Sequence, residues 1–270
     1  LNRCNGLFSE TGLYSGIYAT DWSWSTLWMD FDNDGYKDLF VSNGIPKRLN
    51  DIDYVSYVSN DEIQMKIRAG EMGEKDMALI DKFPQIKLPN RFFLNKGNVQ
   101  FEDAGSRIGN DKSTFSNGAV YADFDNDGDL DVVVNNIDEA ALLYKNTSND
   151  TKTKPSVQLQ LKGPPGNRNA LGAKLLIFGD SGIRYYEKFP ARGFQSSMEV
   201  PIQVAISAKT DSALLIWPDN HYQAISFATG TWQMKLEYKP GLPLFDYSRL
   251  VKRTAAPAFT FEDITRQYGL

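Results

Sequence analysis

Two nine-residue windows constrain this chain more than any other feature: Asp30-Phe31-Asp32-Asn33-Asp34-Gly35-Tyr36-Lys37-Asp38 and Asp123-Phe124-Asp125-Asn126-Asp127-Gly128-Asp129-Leu130-Asp131. They share an Asp-Phe-Asp-Asn-Asp-Gly core and stand 93 residues apart. Nine of the 24 aspartates fall inside them, so the windows carry −3 and −5 while the rest of the chain carries +3. Four or five carboxylates packed into nine residues repel one another unless a cation neutralises them. The net charge of −5 therefore says little about the protein as a whole and much about two local sites.

The spacing suits calcium, which takes roughly six to eight oxygen ligands and needs several of them from one short segment. Positions 1, 3 and 5 of each window offer carboxylates, the glycine at 6 permits a sharp turn, position 7 offers its carbonyl, and an acid at 9 closes the shell. The predicted ligands are Asp30, Asp32, Asp34, the Tyr36 carbonyl and Asp38 in the first site. In the second they are Asp123, Asp125, Asp127, the Asp129 carbonyl and Asp131. Asn33 and Asn126 suit positions of positive φ. A helical EF-hand is excluded, because its bidentate acid at position 12 would fall on Val41 and Val134, and both flanks are strand-like. All-oxygen ligation disfavours transition metals, and magnesium rarely uses such a cage, so two Ca2+ ions are expected. Their expected task is to pin a loop rather than to catalyse, since no His, Cys or Lys constellation accompanies either window.

The same offset of 93 joins Phe8-Ser9-Glu10-Thr11-Gly12 to Phe101-Glu102-Asp103-Ala104-Gly105, and Trp24 through Met29 to Asn117 through Ala122. This is one repeat seen twice, and Phe261-Glu262-Asp263-Ile264-Thr265 opens a third copy over 259–270. A polar segment at about 47–90 holds helical spacing from Asp51 to Lys82, read as two helices separated near Gly70 to Gly73. Without those 44 residues the period falls to 49, close to a propeller blade. Phe93-Leu94-Asn95 and Tyr144-Lys145-Asn146 end equivalent strands 51 apart, which agrees. Short apolar runs such as Leu39-Phe40-Val41, Val120-Tyr121-Ala122, Val132-Val133-Val134 and Ala141 to Tyr144 read as strands, with each acidic window a tight loop between two of them.

Beyond a polar linker after Asn146, residues 155–239 keep the strand pattern without acidic windows; Val157-Gln158-Leu159-Gln160-Leu161 alternates, as does much of Val200 to Ser207. The expected architecture is all-β: two partial β-propeller blades with a helical insertion over 1–146, a small β-sandwich-like domain, then a linker at 240–258. Two blades cannot close a propeller, which takes about four to eight. Their edges are expected to be covered by the insertion, the sandwich or another copy.

The remaining chemistry is sparse. Cys4 is the only cysteine and His221 the only histidine, so an intrachain disulfide, a thiolate zinc site and a multi-histidine centre are excluded. His221 lies in the turn signature Trp217-Pro218-Asp219-Asn220-His221, a poor setting for a catalytic triad. No run approaches about 18 apolar residues, and the first residues have neither a charged nor an apolar leader region, so no membrane span or export signal is read in this stretch. A pI near 5.1 and the lack of a basic run argue against nucleic acid. Asn146-Thr147-Ser148 and Asn149-Asp150-Thr151 match the glycosylation sequon. Trp22, Trp24 and Trp28 beside the first loop read as blade-core aromatics, and as binding determinants if exposed.

The two windows, the Phe-x-Asp or Phe-x-Glu starts, Ser116-Asn117-Gly118-Ala119 and Leu130 through Asn136 resemble FG-GAP/VCBS repeats of integrin α-type β-propellers. Asn169 through Lys174, Gly193-Phe194-Gln195-Ser196-Ser197 and the Trp217-Pro218-Asp219 turn are similar to an ASPIC/UnbV domain. One departure is Gln203-Val204-Ala205-Ile206-Ser207, where that pattern has a His-Phe-Gly-Leu-Gly-like stretch. The insertion looks like that of large exported VCBS-repeat proteins of Bacteroidota. The resemblance implies calcium-loaded blades, further blades as neighbours, an extracellular or cell-surface location and a non-catalytic role recognising a protein or glycan partner. The alternative is an accessory domain of a secreted glycan-degrading enzyme or glycan-uptake system.

Overall fold

A computed structural model describes residues 1, 7–46, 52–74, 76, 85–179, 182–206, 210–228 and 230–250. Cys4, the expected third repeat at 259–270 and the second half of the expected linker lie outside the described residues. A helical turn, α1 (Gly12–Ser15), precedes a four-stranded antiparallel sheet in chain order: β1 (Ser23–Met29), β2 (Asp38–Asn43), β3 (Arg91–Asn95) and β4 (Phe101–Asp103). A second sheet repeats the first three strands as β5 (Ser116–Ala122), β6 (Asp131–Asn136) and β7 (Leu142–Tyr144). The repeat holds at the level of register. Met29 pairs with Asp38 as Ala122 pairs with Asp131, and each hairpin carries an irregularity at the same place, between Ser23 and Thr26 and between Ser116 and Ala119.

One core joins the two sheets. Leu27, Met29, Phe31, Phe40 and Phe92 from the first meet Ala119, Leu130, Val132 and Val134 from the second. Phe92 lies edge-on to both Phe40 (4.9 Å) and Tyr144 (5.1 Å), the arrangement that suits the aromatic quadrupole. Strand β1 turns Leu27 and Met29 inward and Trp28 outward, as the period of two requires. Trp28 is 43% exposed, which corrects the blade-core reading for this residue; Trp24 is half-buried, 4.4 Å from Phe194.

The insertion contains α2 (Ile52–Val58) and α3 (Asp61–Ala69). They are separated at Ser59-Asn60, a break the sequence spacing did not place. Asn60 caps α3 by accepting the Glu62 N–H at 3.0 Å, and Asp61 and Glu62 sit where the helix dipole favours acids. Gly70, at φ 70°, ends α3, and Glu74 and Asp76 beyond Gly73 are again helical, so a break also falls near Gly70 to Gly73; most of the segment from there to Lys82 lies outside the described residues.

The C-terminal unit packs two sheets face to face. One is ordered β10 (Gly182–Glu187), β9 (Lys174–Gly179), β12 (Thr210–Ile216), β13 (Tyr222–Ile225); the other β11 (Ile202–Ala205), β8 (Ser156–Lys162), β14 (Gln233–Glu237), with β14 parallel to β8. Leu159, Leu175, Ile177, Val204, Leu215 and Trp217 fill the space between. Residues 240–250, expected as linker, lie against this sandwich: Leu244 bridges His221, the Tyr222 N–H donates to the Pro243 carbonyl at 2.9 Å, and the Phe245 N–H to Asn220 at 2.8 Å.

The connection between β10 and β11 reaches back onto the blades. Phe194 donates its N–H to Ser25 Oγ (2.9 Å), and Met198 enters the blade core. Among the described residues it is the sandwich, not the insertion, that packs on β1 and β5.

Candidate metal centre

Each acidic window forms the turn between the first two strands of its sheet, and the two turns have the same internal wiring. Asp30 accepts the N–H groups of Asp34 and Gly35 at 3.0 and 2.9 Å; Asp123 accepts those of Asp127 and Gly128 at 3.2 Å each. Asp34 takes the Tyr36 N–H (2.7 Å), and Asp127 takes that of Asp129 (3.0 Å). Asp38 spans from Phe31 (2.7 Å) to Asn95 (2.7 Å), and Asp131 from Phe124 (2.9 Å) to Asn146 (2.8 Å). The turn needs left-handed backbone at two places in each copy, supplied by Asn33 (φ 54°) and Asn126 (φ 57°) and by Gly35 (φ 95°) and Gly128 (φ 92°). These bonds curl each loop so that its carboxylates converge.

Asp30, Asp32 and Asp38 each bring an oxygen within 4.8 Å of the others, as do Asp123, Asp125 and Asp127. That spread is about twice a calcium–oxygen bond of roughly 2.3–2.6 Å, so one ion can touch all three. The triads use positions 1, 3 and 9 in the first loop and 1, 3 and 5 in the second; Asp34 and Asp131 stand outside these groups. Tyr36 and Asp129 both occupy position 7. Asp32 Oδ1 and Asp127 Oδ2 are buried without a hydrogen-bond donor, as is Asp129 Oδ1. A buried, donorless carboxylate oxygen is costly, and a cation is the partner an oxygen-only cluster accepts. The residues present therefore fit a hard divalent ion.

The electrostatics of the ion-free loops agree. Burial, reinforced by the neighbouring aspartates, pushes Asp30 and Asp38 up to about 7. Burial likewise raises Asp129 to about 7 and lifts Asp34, Asp123 and Asp131 above the usual carboxylate range. Asp125 alone moves down, through its hydrogen bond to Lys145, whose Nζ lies 2.9 Å away.

The loops also touch each other and the sandwich, which the sequence spacing did not reveal. Asn33 Nδ2 donates to the Gly128 carbonyl at 2.9 Å, and Ser156 and Gln203 donate to the same oxygen at 2.7 and 2.6 Å. Gln158 Nε2 donates to Asp123 Oδ2 at 2.8 Å, which explains why this polar member of an alternating strand is only 9% exposed. Gln203 stands in the stretch that departs from the ASPIC/UnbV pattern. Asn146 and Ser148 donate to the Phe31 carbonyl, both at 2.7 Å, and Lys154 to the Asp32 carbonyl. Asn149, 2% exposed, donates to the carbonyls of Asp127 and Lys154. The two sequon asparagines thus have their side-chain amides committed to hydrogen bonds within the fold. Asn95 and Asn146 carried a signal as matching strand ends, Asn33 as a position of positive φ and Asn149 as a sequon; Gln158 and Gln203 reach the loops through the tertiary fold.

Fold and loops together define a tandem of carboxylate-looped β-sheets wedded to a β-sandwich. Residues 73–134 match the family model described as FG-GAP-like repeat, spanning β3 to β6 and the second loop. Residues 163–241 match that of ASPIC and UnbV, spanning β9 to β14. The chain carries an FG-GAP-like repeat followed by an ASPIC and UnbV domain, a pairing that suggests an adhesion or accessory module. No curated protein matches the chain.

Proposed function

We propose that this chain is a calcium-loaded, non-catalytic binding or adhesion module that works outside the cell on a protein or glycan partner. The observation that carries the reading is the duplicated loop: two turns with the same wiring, each gathering three carboxylates and each holding a buried oxygen that lacks a donor. Asp30, Asp32, Asp34, Asp38 and the Tyr36 carbonyl, with Asp123, Asp125, Asp127, Asp131 and the Asp129 carbonyl, form the proposed ligand set. Bound calcium supplies positive charge that locks the turn, and the loops' contacts pass that rigidity to both sheets and the sandwich. FG-GAP repeats are typical of extracellular proteins, where calcium is abundant, and no helix among the described residues is long and apolar enough to cross a membrane.

A non-catalytic role is supported by what surrounds the carboxylates. Carboxylates committed to a cation are poor general acids. His221 pairs with Asp219 at 3.0 Å on a turn of the sandwich, with the Asp219 carboxyl held below the usual range chiefly by the Tyr238 hydroxyl and the His221 N–H against the opposing effect of burial. Calorimetric titration of calcium into chelator-stripped protein tests the reading. Two ions per chain are expected; absence of binding heat together with absence of calcium in the purified protein would overturn it.

A further inference from the structure

Between the second acidic loop and the start of β14 lies a cleft of about 580 Å3, within the roughly 300–1,000 Å3 of small-ligand sites. Asp125 and Asp127 of the loop line it, together with Ser156, Gln158 and Trp232. We propose that this cleft binds a carbohydrate chain, with Trp232 stacked on a sugar ring and the second-loop ion taking sugar hydroxyls; the inference rests on the calcium reading above.

Three independent features converge here. Asp127 is only 9% exposed, lines the cleft, and has Oδ2 without a donor, so an oxygen-seeking centre is built into the wall. Trp232 lines the cleft and leaves 53% of its surface in solvent, so an aromatic side chain is free to meet a ligand there. Gln158 ties the second loop to the chain segment of Trp232: it donates its backbone N–H to the Trp232 carbonyl (2.8 Å) and its side-chain amide to Asp123 (2.8 Å).

A smaller cavity lies beside the first loop. The cavity that Asp30 and Asn33 help to line holds about 60 Å3, against about 580 Å3 at the second loop. Its Phe31 and Asp32 carbonyls are closed over by Asn146, Ser148 and Lys154. Phe31 is 8% exposed in the blade core, whereas its counterpart Phe124 is 52% exposed. The two loops thus present different residues, Asp34 and Tyr36 in the first and Phe124 and Asp125 in the second.

The recognition chemistry is that of a saccharide. An aromatic face accepts the C–H side of a pyranose, and carboxylates, an amide and a hard cation accept its hydroxyls. The lysines at the cleft are already engaged, Lys152 on the Asn126 carbonyl (3.0 Å) and Lys154 on Asp32, which disfavours a site built for an anionic peptide.

The test is calorimetric titration of the full chain with mannohexaose, cellohexaose and xylohexaose in millimolar calcium, with melting curves run in parallel. Saturable binding of at least one is expected, about tenfold or more weaker in Trp232→Ala, largely kept in Trp232→Phe, unchanged in Trp28→Ala and abolished by chelator. No saturable binding by any of the three, or binding that survives Trp232→Ala or chelator, overturns the proposal. Melting that rises with calcium while no sugar binds would sink the cleft and leave the calcium module standing; melting blind to calcium would sink the module itself.

Discussion

Asp34 and Asp127 occupy the same position of the repeated loop, yet Asp34 is exposed and Asp127 is 9% exposed. Identical spacing therefore does not guarantee an identical environment, and the ligand triads differ accordingly. Because burial raises Asp30, Asp38 and Asp129 to about 7, each is more acidic in the unfolded chain than in the ion-free fold. Their contribution to the ion-free fold is present below the ordinary carboxylate range and lost as pH rises through about 7. Chelated protein should thus melt lower at pH 8 than at pH 5.5, and the stabilisation by calcium should grow over the same interval; urea titrations at both pH values check this. Asp32→Ala with Asp125→Ala, one carboxylate from each triad, should remove most of the calcium-dependent part of the melting temperature.

At the scale of elements, the hairpins, the loops and the sandwich were legible because their signals are local: short apolar runs, Asn and Gly at turn positions, a fixed offset. The strand ends at Asn95 and Asn146 were legible for the same reason, and each supplies the N–H that holds its loop's ninth aspartate. The break at Ser59-Asn60 was hidden because its signal is the single Asn60 cap, whereas glycines mark the later one near Gly70 to Gly73. The packing of 240–250 on the sandwich was hidden because its bridge to His221 joins segments that no periodicity relates. Gly128 is a sharp test of the loop, since a Cβ there would lie 2.6 Å from Ser156 Oγ at a φ of 92°. Gly128→Ala should cost on the order of 1–3 kcal/mol and weaken the second site, read from urea midpoints with and without calcium. Phe40→Ala, at a fully buried ring shared by both sheets, should cost about 3–5 kcal/mol whether or not calcium is present.

At the scale of the whole molecule, the acidic loops are where three bodies meet. The Gly128 carbonyl alone receives Asn33 from the first sheet and Ser156 and Gln203 from the sandwich. The sequence could show that the loops bind an ion; it could not show that they also form a joint, since the sandwich residues involved lie tens of positions away on ordinary strands. An ion at such a joint stabilises the sandwich as well as the blades. The most direct measurement is thermal unfolding followed at once by far-ultraviolet circular dichroism and by tryptophan emission, which includes Trp217 in the sandwich core, in excess calcium and in chelator. Calcium at about 100 times its Kd should add roughly 2.7 kcal/mol per site and move both signals upward together. A melting temperature that is the same in calcium and in chelator, by both signals, would contradict the calcium-loaded joint.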